Sequence, residues 1–228
     1  MEAADLGVRL CQHNARAVYR GYLVVALPVA ILALSSYELA AWLPTAALWW
    51  SKPWLDRTIL FVLSRAVFGQ ETRPADVWRE QRDVWWRQFF FTWTIRRLSP
   101  WRSFTQAIYQ LEGFSILQAG ARIRQIRQRY VGPALMMTSA FSMAETALGF
   151  SLLSLVFWMA PSGRAPSLTA LITGENTTLA MAFPVAYALT VLFLEPFYVA
   201  SGFAMYLNRR AELEAWDIEQ EFRRAFAQ

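Results

Sequence analysis

The chain has 228 residues, of which 56% are hydrophobic, and its formal net charge is +5. This length fits one domain, and the composition predicts a few membrane spans combined with polar helices. A single cysteine and a single histidine exclude an internal disulfide and a Cys/His metal site, and we predict no cofactor and no catalytic residue.

The first 20 residues carry three arginines among apolar residues at near-helical spacing, which predicts a cytoplasmic amphipathic helix. Residues 21–43 follow as the first predicted span, because about 20 apolar residues cross a hydrocarbon core of roughly 30 Å. A cleaved signal peptide is the competing interpretation, since positive residues precede the apolar run. Such a leader would be unusually long, so we interpret the run as an uncleaved span.

A second, shorter span is predicted over residues 53–68. Ser51 is a candidate N-cap and Pro53 suits the first turn of a helix, so the helix is expected to start there. Four charged residues lie close to the predicted outer surface and form a candidate cluster whose favoured role is to anchor the hairpin. They are Glu38, Lys52, Asp56 and Arg57.

Residues 70–132 contain no apolar run long enough to span, and arginines outnumber acids there, which indicates cytoplasmic or interfacial helices by the positive-inside rule. Aromatic residues recur at helical spacing over residues 75–97. This pattern favours either a helix in the headgroup plane or an amphipathic helix packed on the bundle. A capping box, residues 103–106, predicts the start of another helix.

A basic segment follows, and it is a candidate contact for anionic lipid headgroups or for a protein partner. The acidic C-terminal helix is one possible docking surface for it. Nucleic-acid binding is not predicted, because no recognition motif is present. The basic residues concerned are Arg122, Arg124, Arg127 and Arg129.

Two long apolar runs, residues 133–160 and 178–206, are the third and fourth predicted spans. The outer loop between them, residues 161–177, has one arginine, as expected of an extracytoplasmic loop. Residues 207–228 are predicted as a charged cytoplasmic helix. The expected fold is therefore an all-α bundle of four spans with both termini in the cytoplasm. Arginine in place of lysine is typical of a GC-rich bacterial genome, so we expect a bacterial inner membrane.

Glu145 and Glu195 lie at similar depth in the last two predicted spans, about 18 Å and 16 Å from the cytoplasmic side. Tyr198 shares the face of Glu195. One hypothesis is that the two carboxylates bind a proton or cation, because two close carboxylates do not both ionise cheaply. The favoured alternative is that they serve helix packing, either neutral or paired with an arginine.

Residues 206–219 read Tyr-Leu-Asn-Arg-Arg-Ala-Glu-Leu-Glu-Ala-Trp-Asp-Ile-Glu. This stretch resembles the end of the last span in uncharacterised bacterial membrane proteins related to the membrane domain of some glycerophosphoryl diester phosphodiesterases. The chain has Asn208 where an acid is more usual, and it lacks the catalytic barrel, so no activity transfers. The resemblance implies a helical membrane module that assembles with partners.

The predicted function is that of a non-enzymatic subunit or scaffold of a membrane complex, with lipid headgroups and other membrane proteins, or a second copy, as partners. The alternative is a small transporter or channel that uses Glu145 and Glu195. A face of small residues exposed on a span would favour the scaffold. A cavity that reaches both glutamates would favour transport.

Overall fold

A computed structural model of the chain describes residues 2–86, 89–94, 97, 99–113, 116–159 and 177–226. None of these residues lies in a β-strand, which confirms the all-α prediction. A 3₁₀ turn, Ser36–Glu38, extends α2, and a π-helical turn, Arg82–Trp86, lies between α4 and α5. The helices are α1 (Glu2–His13), α2 (Ala15–Ser35), α3 (Leu43–Ala66), α4 (Pro74–Arg79), α5 (Phe89–Trp93), α6 (Arg102–Leu111), α7 (Ile116–Arg127), α8 (Val131–Trp158) and α9 (Thr177–Phe226).

Three helical segments among the described residues are long and apolar enough to cross a membrane: Ala15–Glu38, Val131–Val156 and Ala180–Ala215. They correspond to the first, third and fourth predicted spans. The second predicted span, residues 53–68, falls in α3, which is not among the three segments. Charged side chains interrupt the apolar character of α3. They are Lys52, Asp56, Arg57 and Arg65.

The predicted start of α3 is wrong. The helix begins at Leu43, with Pro44 in its first turn, where a missing backbone N–H leaves no hydrogen bond unmade. Ser51 lies inside the helix rather than at its cap, and its hydroxyl donates to the Ala47 carbonyl oxygen at 2.7 Å. Pro53 is consequently an interior proline.

The predicted single helix over residues 75–97 is also wrong, because the structure divides this region into α4, the π-helical turn and α5. Arg57 of α3 donates to the carbonyl oxygen of Asp83 at 3.1 Å, and also to that of Val84. Trp85 is buried in the core. Carbonyl groups at this turn therefore bind a side chain of α3, and the segment packs on the bundle.

The helix expected to start at the capping box, residues 103–106, starts slightly earlier. Helix α6 begins at Arg102, and Trp101 at its cap makes no side-chain capping bond. Ser103 instead lies in the first turn, against Gly202 of α9, where a Cβ added to the glycine would sit 2.5 Å from the Cβ of Ser103. This close approach buries the serine that the sequence assigns to the cap.

Helix α9 is the centre of the bundle, and α1, α2, α3, α6 and α8 pack against it. It continues without a break through the predicted cytoplasmic helix at residues 207–228, as far as Phe226. Helix α1 lies close to α9 because Gly7 faces the Ala200 carbonyl, and the Ser201 hydroxyl donates to the Ala4 carbonyl oxygen at 3.1 Å. The predicted outer loop lies outside the described residues except for Thr177.

Candidate functional site

A buried network of acidic and basic side chains connects α3, α8 and α9. The ammonium group of Lys52 donates to both carboxylate oxygens of Glu145, at 2.9 and 2.8 Å. The same nitrogen lies 2.8 Å from an oxygen of Glu195. The two glutamates that the sequence places at similar depth therefore meet around one lysine.

Arg102 of α6 extends this network. Its guanidinium donates to Glu195 at 2.6 Å, and its Nε lies 2.8 Å from a carboxylate oxygen of Asp56. Its guanidinium carbon also lies 5.3 Å from the centre of the Tyr198 ring, which lines the same region. We call these five acidic and basic residues the charge network: Lys52, Asp56, Arg102, Glu145 and Glu195.

The charge network holds its carboxylates by direct ionic contact. Each of Asp56, Glu145 and Glu195 has a cationic nitrogen within 2.9 Å. Ionised groups in a low-dielectric interior are stabilised only when such partners are present, and removing one partner leaves an uncompensated charge. The network therefore ties α3, α6, α8 and α9 together in one arrangement.

A polar cavity of about 310 Å³ lies beside the charge network. Both Glu145 and Glu195 reach it, together with Lys52 and Arg102. The hydroxyl of Thr138 in its wall donates to the Pro100 carbonyl oxygen at 2.8 Å. The remaining wall consists of Trp49, Arg97, Ser99, Phe141, Ser142, Leu194 and Tyr198.

An apolar groove of about 940 Å³ adjoins the cavity and runs between α3, α8 and α9. Trp49, Ser142 and Glu145 belong to both walls, so the two spaces meet at these residues. Other residues of the groove are mostly apolar. They include Trp42, Ala46, Gly149, Phe150, Leu153, Phe183 and Tyr187.

Arg97 is a further cation in the wall of the polar cavity. It is only 7% exposed, and its guanidinium carbon lies 3.5 Å from the centre of the Trp49 ring. Its Nε and one terminal nitrogen are buried and have no hydrogen-bond acceptor among the described residues. Burial, together with the nearby positive charge of Arg102, lowers the pKa of Arg97 to about 10, so it remains protonated at neutral pH.

The four residues of the predicted outer cluster do not form one cluster in the structure. Lys52 and Asp56 belong to the charge network, and the Arg57 guanidinium binds the segment at Asp83. Glu38 is exposed in the turn after α2. The helical periodicity of α3 explains the separation, because Asp56 and Arg57 point in different directions from consecutive positions.

The four predicted basic residues, three in α7 and Arg129 in the turn after it, have different surroundings. The Nε of Arg122 lies 2.9 Å from a carboxylate oxygen of Glu112. The guanidinium carbon of Arg127 lies 3.7 Å from the centre of the Trp101 ring. Arg124 and Arg129 are exposed. On α9, described acids pair with arginines of the same helix, Arg209 with Glu212 and Arg210 with Glu214. No ion pair joins these arginines to Glu212 or Glu214, the acids of residues 207–228 whose side chains the structure describes.

Arg97 and Arg102 are the site residues that the sequence interpretation missed. The sequence does distinguish Arg102, because it is the sole charged residue between Ser99 and Leu111. Arg97 carries none, since it follows another arginine in a segment rich in them. Lys52 is the only lysine in a chain with 22 basic residues, which also marks its position as unusual.

Among the described residues, no group of three or more His, Cys, Asp or Glu side chains is arranged to hold a metal ion. Comparison of the chain with protein-family models, with curated proteins and with solved structures finds no match.

Proposed function

We propose that this chain is a non-enzymatic integral membrane protein that acts as a subunit or scaffold of a membrane complex. The observation that carries the proposal is that the rest of the chain buries little of α8. Only 6% of its apolar window is buried, against 39% in each of the other two apolar segments. Helix α8 packs on α9 and leaves its opposite face uncovered.

The uncovered face of α8 has the composition of a helix-packing surface. Ala140, Ala144, Ala147 and Ser151 recur at four, three and four residues, so they share one side of the helix, and all are exposed. Small residues let two helix backbones approach closely in a membrane, where van der Waals contact drives association. We call this surface the α8 outer face, and its proposed occupant is a transmembrane helix of a second copy or of another subunit.

The finer topology belongs to the same proposal. Helix α3 is 24 residues long, about 36 Å at 1.5 Å per residue, which is enough to cross the hydrocarbon core. Its charged residues Lys52, Asp56 and Arg57 are buried inside the protein rather than directed at lipid. We propose four crossings with both termini in the cytoplasm of a bacterial inner membrane. The resemblance of residues 206–219 to a phosphodiesterase-associated membrane module agrees with an assembly role.

Photo-crosslinking in native membranes tests the proposal. A photoreactive amino acid at Met143, on the α8 outer face, should give a protein adduct of defined mass. The same group at Leu32, which is exposed on α2, is the control and should label lipid. Lipid adducts alone at both positions, together with a monomer after mild solubilisation, would contradict an assembly role. An enlarged side chain, Ala144→Trp, should abolish the Met143 adduct.

A second candidate function is transport of a proton or small cation. The favouring observation is that the polar cavity reaches both Glu145 and Glu195. Against it, Lys52 already occupies the position between the two carboxylates. Reconstitution into vesicles tests this candidate. Proton or cation uptake by the native chain that disappears in the double variant E145Q/E195Q supports transport. Uptake that is unchanged in the double variant contradicts the role of the pair.

A further inference from the structure

The polar cavity and the apolar groove together form one amphipathic space. Its polar end is enclosed by charged residues, and its apolar part opens along α3, α8 and α9. Trp49, Ser142 and Glu145 form the boundary between the two parts. A ligand that fits such a space has a polar headgroup and at least one hydrocarbon tail, and the groove's 940 Å³ is at the upper end of ordinary ligand sites.

Arg97 indicates the chemistry of the headgroup. A guanidinium that is 7% exposed is costly to bury when its N–H groups have no acceptor, and two of its nitrogens have none among the described residues. The carboxylates nearby are already in contact with Lys52 or Arg102. Guanidinium and phosphate match in bidentate geometry, so a phosphate group would satisfy Arg97 well.

The carboxylate of Glu145 refines this assignment. A zwitterionic headgroup carries an ammonium beside its phosphate, and an ammonium is a donor that needs an anionic acceptor. Glu145 is the network's most exposed carboxylate, at 22%, and a carboxylate has about four acceptor positions, of which Lys52 uses two.

We propose that this space binds a phospholipid with a zwitterionic headgroup, with its phosphate on Arg97, its ammonium on Glu145 and an acyl chain in the groove. The site is separate from the α8 outer face, so the lipid would be a structural ligand of the protein rather than its assembly partner.

Native mass spectrometry of the full chain, delipidated in detergent and then given defined lipids, tests the proposal. Phosphatidylethanolamine should bind at one molecule per protomer, at least about tenfold more tightly than phosphatidylglycerol, which lacks the ammonium. Inorganic phosphate should not displace it, because phosphate has no tail to fill the groove. Equal binding of the two lipids, or displacement by phosphate, would overturn the proposal.

Three variants locate the bound lipid. Arg97→Gln should weaken binding of phosphatidylethanolamine by about tenfold to a hundredfold, the usual range for a charge-assisted hydrogen bond. Ala46→Phe should weaken it by filling the groove while leaving every charge in place, so it remains informative if Arg97→Gln fails to fold. Arg124→Gln, at an exposed position of α7, is the control and should bind as the native chain does. Undiminished binding in both Arg97→Gln and Ala46→Phe would refute the site, whatever the crosslinking at Met143 shows.

Discussion

The ammonium group of Lys52 binds both carboxylate oxygens of Glu145, which joins α3 to α8 through residues that are 93 positions apart. Helix α8 is otherwise little buried by the rest of the chain. This ion pair is therefore a specific connection that fixes where the outermost helix stands relative to the bundle.

Replacement of Lys52 should destabilise the protein strongly. In Lys52→Met, Glu145 loses its cation and Glu195 loses one of two, and breaking a buried ion pair from one side costs about 3–5 kcal/mol of unfolding free energy. Thermal unfolding in detergent, followed by circular dichroism, measures the change. A loss smaller than about 1 kcal/mol would show that the pair is not buried.

Two further variants control this experiment. Arg210→Gln removes an exposed pair with Glu214 and should change stability by less than about 1 kcal/mol. Lys52→Arg retains the charge but should not restore native stability, because a planar guanidinium does not fit the position of a compact ammonium between two carboxylates.

The two glutamates should differ in sensitivity. Glu195 is 3% exposed and contacts both Lys52 and Arg102, whereas Glu145 is 22% exposed and contacts Lys52. Glu195→Gln should therefore lower the unfolding free energy by at least about 1 kcal/mol more than Glu145→Gln. The reason is that Glu195 loses charge-assisted contacts with two cations, whereas Glu145 loses contacts with one. Parallel denaturation of the two variants measures the difference, and the reverse order would contradict the described geometry.

Two glycines should not tolerate even a methyl group. A Cβ on Gly7 would lie 2.4 Å from the Ala200 carbonyl oxygen, and one on Gly202 would lie 2.4 Å from the Ser103 hydroxyl oxygen. Gly7→Ala and Gly202→Ala should each cost about 1–3 kcal/mol through overpacking. Gly120→Ala is the matched control in α7, where nothing lies within 4 Å, and it should stabilise the helix by up to about 1 kcal/mol. An unchanged or raised melting temperature in Gly7→Ala and Gly202→Ala would exclude this packing.

The single thiol should be inert in the folded protein. Cys11 is fully buried in α1, and burial raises its pKa from 9.0 to about 12. The folded thiol therefore holds its proton at pH values where an unfolded one releases it, so this group favours the fold below about pH 9 and the benefit declines as pH rises toward 12. A maleimide at a pH of about 8 should label Cys11 only after denaturation, because the thiolate is the reactive form. Rapid labelling of folded protein would contradict the packing of α1 on α9.

The side of the membrane reached after α3 should be cytoplasmic. The turn at Gly69 is exposed and lies outside the helices, with φ of 70°, so a reporter inserted there should not disturb a helix. Green fluorescent protein inserted after Gly69 should fluoresce, and alkaline phosphatase there should be inactive, if α3 crosses the membrane. Active phosphatase would limit the chain to the three apolar segments as crossings.

Features that depend on neighbouring positions could be predicted from the sequence. The all-α fold and the three apolar segments follow from hydrophobic runs, which are local. Prediction was poorer where a distant side chain intervened. The segment expected as one helix over residues 75–97 contains a π-helical turn where Arg57 binds the Asp83 carbonyl, and the cap expected at Ser103 is buried against Gly202.

The sequence by itself determined how deep Glu145 and Glu195 lie along their helices, because depth depends only on the count of residues from the end of an apolar run. The tertiary structure decided which cations they contact. Lys52 and Arg102 reach them from helices that are distant in the chain, and such pairs form only when particular helix faces meet. The same holds for Arg97, whose place in a cavity depends on how α3, α8 and α9 pack around it.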